Sequence, residues 1–231
     1  MNDPDSQNSP RSSEPEKNPL IAAAHYLGAG TAAMCQSGES RRHLFEEEKL
    51  LLREWCARNG CELVADVLSG CRPVSSGAEH DVFFSDSENR AIKLTRSGGF
   101  GHSLVQEGKS ALPSEYLLRL IYQNELFGDF IEFQGIISGE TGVQILTSQP
   151  WITAHPENPT PSDLEIDNYF ENLGFKRREN LPVAAYYNVE MDLAVLDAHA
   201  QNILRDERGD LVPIDLVIGQ PGEWTRKWLG L

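Results

Sequence analysis

From Ser40 to Gly60 the apolar positions recur at helical spacing. Leu44, Leu51 and Trp55 fall on one stripe of RRHLFEEEKLLLREWCARNG, with Phe45, Leu52 and Cys56 beside it. Ser40 can cap the start and Asn59-Gly60 can stop the end, so the pattern predicts a helix packed on a domain. Upstream, residues 20–34 are small and alanine-rich, but Gly28 and Gly30 are expected to interrupt a helix there. Residues 1–19 hold four prolines among Ser, Asn, Asp and Glu and predict a disordered tail.

After Gly60 the period shortens. CELVADVL (61–68) alternates in part, and HDVFF (80–84) and AIKLT (91–95) are short β-branched or aromatic runs. The turn-rich segments CRPVSSGAE and SDSENR separate them, which predicts two successive hairpins. PSEYLLRLIYQNELFG follows as a helix, with Pro113 in its first turn and Gly128 at its end. DFIEFQGII and VQILTS, joined by SGETG, form a third hairpin. The order β-β-β-α-β-β predicts an α+β fold with a five-stranded antiparallel sheet and one helix across it. Beyond Pro150-Trp151 the chain turns loop-like, with one helix at 162–173 and an extended AAYYNVEMDLAVLD. VLDAHAQNIL and LVPIDLVIG then flank a DERGD turn. These shifts divide the chain into a tail (1–19), a helical extension (20–60), a sheet domain (61–150) and a smaller C-terminal part (151–231).

Composition narrows the function classes. The 231 residues carry a net charge of −15, spread along the chain. That balance argues against nucleic acid or an anionic membrane as partner, because both attract basic surface. No apolar run is long enough to span a bilayer, and the polar start does not resemble a secretory leader. Cys35, Cys56, Cys61 and Cys71 form no C-x-x-C pair. They are expected to be reduced thiols of a cytoplasmic protein rather than a disulfide framework or, with His43 and His80, a zinc finger.

Four residues stand out by type and order. Lys93 lies in the AIKLT strand, Asp197 and Asn202 lie five residues apart in DAHAQN, and Asp215 sits in the apolar VPIDLVIG. A strand lysine can hold phosphates, one aspartate can orient or deprotonate a hydroxyl, and an asparagine with a second aspartate can hold magnesium. Phosphoryl transfer requires little else from a protein. Singly, Asp197 also fits a cap, Asn202 a turn and Lys93 a snorkelling strand lysine. Asp215 is harder to explain that way, since a charge between Ile214 and Leu216 is costly unless paired or on a metal.

With these motifs in this order, the chain resembles the protein-kinase-like superfamily. From about residue 46 onward it looks most like the small kinase domain of polyvalent proteins of phages and conjugative elements. It is more distantly similar to aminoglycoside phosphotransferases, whose loop also carries a histidine at the position of His199. The resemblance is carried by GAEHDVFF, AIKLT, PSEYLLRLIYQNELFGD, LTSQPWI, Gly174-Phe175, DAHAQNIL and VPIDLVIG. It implies a reduced kinase-like fold, with an N-lobe at 61–150 and a minimal C-lobe at 151–231. The ligands implied are ATP and Mg2+. Lys93 would bind the α- and β-phosphates and pair with Glu115, with Glu107 and Glu125 as competitors. Ser75, Ser76 and Gly77 would form the nucleotide-covering turn, and the backbone of Gln149, Pro150 and Trp151 would hold adenine. Asp197 would be the catalytic base, with Asn202 and Asp215 as magnesium ligands. His199 would either contact the transferred phosphate or brace the loop.

The chain departs from the family pattern in several places. Val195 stands where a histidine is usual, Asp215-Leu216-Val217 lacks the following glycine, and the covering turn has one glycine. Sixteen residues follow Asp215, too few for an activation segment and a peptide-binding helical platform. The expected activity is therefore an ATP- and magnesium-dependent phosphotransfer to a protein hydroxyl or a small molecule. The alternatives are a nucleotide-binding pseudokinase acting as a regulator or mobile-element effector, and an AMPylating enzyme of the same fold.

Overall fold

The computed structural model describes residues 18–35, 40–139 and 142–231. The expected tail lies outside the described residues up to residue 17.

The first helix, α1 (Pro19–Cys35), crosses both glycines that were expected to break it. Asn18 Oδ1 accepts the Leu20 amide at 3.0 Å and Pro19 occupies the first helical position, so its start is well capped. Packing explains why Gly30 is tolerated. A Cβ there would lie 2.5 Å from Leu51 Cδ1, so the missing side chain lets α1 approach α2 (Arg41–Asn59) closely. The caps of α2 are those expected: Ser40 Oγ accepts the His43 amide, and Gly60 stands at φ 69°. Its fully buried stripe is Leu44, Glu48, Leu52 and Cys56, while Phe45, Leu51 and Trp55 are partly buried at its edge.

The expected five-stranded antiparallel sheet is instead six-stranded. Its strands are β1 (Glu62–Leu63), β2 (Cys71–Ser76), β3 (His80–Ser85), β4 (Arg90–Thr95), β5 (Glu132–Gly139) and β6 (Gly142–Pro150), in the spatial order β1-β5-β6-β4-β3-β2. Two differences from the sequence pattern explain the change. CELVADVL shrinks to two residues of strand followed by a 3-10 turn, and β1 pairs parallel to β5. Gly135, at φ 145°, admits that neighbour, because a Cβ there would lie 2.2 Å from the Cys61 carbonyl oxygen. The second difference is CRPVSS, expected as a turn, which is the edge strand β2 with a register irregularity between Pro73 and Ser75. A proline and a bulge fit an edge position.

Helix α3 (Pro113–Phe127) lies against this sheet and ends at Gly128, φ 67°. Leu117, Tyr116 and Leu120 join α1, α2, β5 and β6 in one core that includes Leu27, Leu52, Ile136 and Ile145. The last turns of α3 serve a second core. Tyr122, Leu126 and Phe127 pack against Ile166, Phe170, Phe175, Tyr186 and Val195. Phe170 belongs to α4 (Asp163–Asn172), whose start is set by Ser162 and Glu165 in a reciprocal capping box, and its ring stacks on Tyr186 at 4.4 Å. The rest of the C-terminal part is a four-stranded sheet and a hairpin. The sheet joins β7 (Lys176–Arg177), β8 (Ala185–Asn188), β9 (Leu193–Leu196) and β12 (Val217–Gly219) in the order β12-β9-β8-β7. The hairpin is β10 (Ile203–Arg205) with β11 (Leu211–Pro213), and α5 (Glu223–Leu229) closes the chain. No helix among the described residues is long and apolar enough to cross a membrane.

Candidate active site

Lys93 lies in the middle of the large sheet, opposite Val82 on β3 and Thr147 on β6. Its Nζ donates to the Ile214 carbonyl, which ties β4 to the chain just before Asp215. Desolvation holds this ammonium below the usual lysine range, against the pull of Asp215. The Ile214 amide in turn donates to the Asn202 carbonyl at 2.8 Å. Asn202 and Asp215, thirteen residues apart in sequence, thus become neighbours across the β10–β11 hairpin. Asp215 lies in the bend between β11 and β12, not within a strand as the apolar pattern suggested.

Asp197 leaves β9 at φ 61°, a left-handed conformation uncommon for a residue with a side chain. Three contacts hold it there. Asn202 Nδ2 donates to the Asp197 carbonyl and to its Oδ2, each at 2.9 Å, and His199 Nε2 lies 3.1 Å from Oδ1. His199 Nδ1 accepts the Gln201 amide at 3.2 Å, and Nε2 faces the Asp197 carboxylate. In this arrangement His199 braces the aspartate.

Two oxygens of the constellation suit a hard divalent cation. Asp215 is bound only through Oδ1, and no described residue donates to Oδ2. Asn202 uses its amide nitrogen toward Asp197, and no described residue donates to its Oδ1. A carboxylate oxygen and an amide oxygen are hard donors of the kind that suit a divalent cation.

Three expected assignments are corrected. Glu115 does not pair with Lys93. Its carboxylate accepts two bonds from Arg41 at 2.9 and 2.7 Å and a third from the Leu112 amide at 3.1 Å, so it anchors the start of α3 to α2. Among the described residues Lys93 makes no salt bridge, with Glu107, Glu125 or any other acid. Ser76 belongs to β2, where its Oγ donates to Asp81 at 2.8 Å, and the Gly77 amide closes the turn onto the His80 carbonyl at 2.8 Å. The Ser76 hydroxyl and the Gly77 amide are thereby engaged within the covering turn. Gln149 is buried in β6 opposite Ala91, and the Trp151 amide donates to the Asn89 carbonyl at 3.1 Å. With Pro150 lacking an N–H, the expected backbone donor of this segment is engaged in closing the β4–β6 pair. The Trp151 ring lies edge-on to Phe84 at 4.7 Å.

The sequence pattern did not single out the residues behind Asp215. Arg119, on α3 one turn beyond Glu115, donates to Glu79 Oε2 at 2.6 Å and to Asp215 Oδ1 at 3.0 Å. His80, expected at the surface or in a structural role without a partner, is buried. Its Nε2 lies 2.9 Å from the Tyr116 hydroxyl and its Nδ1 3.7 Å from Asp215 Oδ1. Burial would raise the pKa values of Glu79 and Asp215, but Arg119 overrides this at Glu79, and His80, Lys93 and Arg119 do so at Asp215, so both lie below the usual carboxylate range. Possible ligand atoms of Glu79, His80 and Asp215 fall within 4.8 Å of one another, but the Arg119 guanidinium stands among them in the place of a cation. Asp129, just past α3, is a further buried acid, with an Oδ1 that has no hydrogen-bond partner among the described residues. A polar residue following a helix-ending glycine carries no sign of burial, so Asp129 could not be found from sequence.

Neither a curated protein nor a solved structure matches the chain. The family model described as "Serine/Threonine/Tyrosine Kinase found in polyvalent proteins" matches residues 45–219, a span that holds Lys93, Asp197, His199, Asn202 and Asp215. Since that match covers most of the chain, including both parts that meet at Lys93, the protein belongs to the kinase family of polyvalent proteins.

Proposed function

We propose that the protein is an ATP- and magnesium-dependent phosphotransferase in which residues 61–150 form the nucleotide-holding lobe and residues 151–231 a reduced second lobe. The observation that carries this is that the fold joins Lys93 to the segment 197–215, about a hundred residues away in sequence. Lys93 meets the Ile214 carbonyl, Ile214 meets Asn202, and Asn202 holds Asp197. Lys93 would neutralise the phosphates, and Asp215 and Asn202 would hold magnesium, which when bound supplies positive charge for the transferring phosphoryl group. Asp197 accepts the proton of the attacking hydroxyl, and His199 with Asn202 keeps its carboxylate oriented. The family description favours a protein hydroxyl as acceptor. A nucleotide-binding regulator is the second reading. It is favoured by the contact of Arg119 with Asp215, which places a fixed cation beside the metal-binding carboxylate.

The test uses ATP labelled at the γ- or the α-phosphate, with magnesium and a panel of peptide and small-molecule hydroxyl acceptors. Beside the wild type stand Asp197→Asn and Lys93→Met. Transfer of γ-label that falls at least 1000-fold in both variants supports the phosphotransferase. Transfer of α-label would replace it with AMPylation, and tight nucleotide binding without transfer would leave the regulator.

A further inference from the structure

Arg119 is 5% exposed, yet it reaches from α3 to two other elements. One Nη holds Glu79 on the covering turn and the other holds Asp215 before β12. His80, also on the covering turn, faces the same Asp215 oxygen and bonds Tyr116, one turn before Arg119 on α3. Two groups from different segments, Arg119 of α3 and His80 at the start of β3, therefore approach Oδ1 of Asp215, and no described residue donates to Oδ2. A carboxylate on a bend can rotate about its Cβ–Cγ bond and offer either oxygen. With Oδ1 fixed by a charge-assisted bond, Oδ2 has one direction to point.

The charges suit this role. A bare guanidinium 3.0 Å from Oδ1 would oppose a divalent cation on Oδ2. Glu79 at 2.6 Å offsets that charge, so the brace as a whole is close to neutral. The packing also argues for a function beyond stability. Arg119 Nε and His80 Nδ1 are buried without a hydrogen-bond partner among the described residues. A network that only filled space would be better built from apolar side chains than with two unsatisfied nitrogens.

We propose that Arg119, charge-balanced by Glu79, is a positioning residue for Asp215: it holds Oδ1, turns Oδ2 toward the cation, and couples α3 and the covering turn to the metal-binding carboxylate. This rests on the phosphotransferase reading, since it presumes that Asp215 holds magnesium.

Mn2+ serves as the probe, with binding followed by water-proton relaxation in wild type, Arg119→Met, Arg119→Lys and Glu79→Gln. Binding of a fluorescent ATP analogue in EDTA and a thermal melt accompany each. Arg119→Met is expected to weaken Mn2+ about tenfold while metal-free nucleotide binding stays within about twofold. Glu79→Gln is expected to weaken Mn2+ as well, because it leaves the guanidinium uncompensated, and Arg119→Lys to recover part of the loss. Mn2+ binding in Arg119→Met that equals or exceeds wild type overturns the inference and makes Arg119 a competitor of the metal. If Arg119→Met does not fold, Glu79→Gln decides: unchanged Mn2+ affinity there overturns the proposal. Wild type that binds neither Mn2+ nor nucleotide would overturn the phosphotransferase reading itself, and the inference with it.

Discussion

Asp129 shows how one side chain can carry a pH dependence of the whole fold. It is 8% exposed, and burial pushes its carboxyl from the ordinary 3.8 up to about 7, with Lys93 resisting. The folded pKa lies above the unfolded one, so between about pH 4 and pH 7 the folded chain holds a proton that the unfolded chain has released. Stability from this residue is therefore greatest at low pH and is lost as pH rises through that window. Asp129→Asn carries no charge to desolvate. It should be more stable than wild type at pH 8 by about 2 kcal/mol, with the gap closing toward pH 4, as read by urea unfolding at several pH values. An asparagine variant less stable at pH 8 would mean that the ionised carboxylate is held by Lys93 instead. At this scale residue type and order singled out Lys93, Asp197, Asn202 and Asp215, and hydrogen bonds of the fold link Lys93 through Ile214 to Asn202 and Asp197. The sequence failed where the answer depends on tertiary partners. Glu115 and Arg119 share one face of α3 a turn apart, yet Glu115 is taken by Arg41, 74 residues upstream, while Arg119 reaches Glu79 and Asp215. No local pattern encodes that choice.

Arg41 belongs to α2, which packs with α1 against α3. The family match begins at residue 45, inside α2, so α1 and Arg41 lie outside it. Even so, Leu20, Ala23, Ala24 and Leu27 of α1 share the core with α3 and the sheet. The contact is polar as well as apolar. Glu48 of α2 is fully buried and accepts the Ser114 amide at 2.8 Å, the Ser114 hydroxyl at 2.9 Å and the Thr31 hydroxyl of α1. It sits where an apolar residue would complete the Leu44, Leu52 and Cys56 stripe. Glu48→Leu should restore that pattern and still destabilise by about 2–4 kcal/mol, because it strands the Ser114 donors in a dry interface. Glu48→Gln, which keeps an acceptor, should cost clearly less, and equilibrium unfolding of the two variants ranks them. If leucine proves the more stable, the apolar stripe outweighs the polar contact. The same contrast explains what the element pattern made legible. Capped, periodic helices such as α2, α3 and α4 follow from local rules. By contrast α1 depends on Leu51 accepting Gly30, and β1 on Cys61 accepting Gly135, which are tertiary facts.

At the scale of the whole molecule, a net charge of −15 surrounds a cleft proposed to hold a triphosphate. The cations that face this cleft are few. Lys93 is desolvated and bound to a carbonyl, and Arg119 is already paired with Glu79 and Asp215. Long-range attraction therefore cannot assist the approach of a nucleotide, and the surrounding field opposes it. Salt screens charges separated by more than roughly 8–10 Å at 0.1–0.15 M, whereas contacts inside a closed cleft are screened much less. The two effects separate in kinetics. Raising ionic strength from about 20 to 150 mM at constant free magnesium should raise the association rate of a fluorescent ATP analogue by about twofold or more, while dissociation changes little. Stopped-flow fluorescence measures both rates. A basic phosphate-binding cleft gives the opposite sign, with association slowing as salt rises. Such a slowing here would mean that a cationic surface not visible in the overall charge guides the nucleotide to Lys93. An unchanged rate would mean that the acidic surface lies too far from the cleft to be felt.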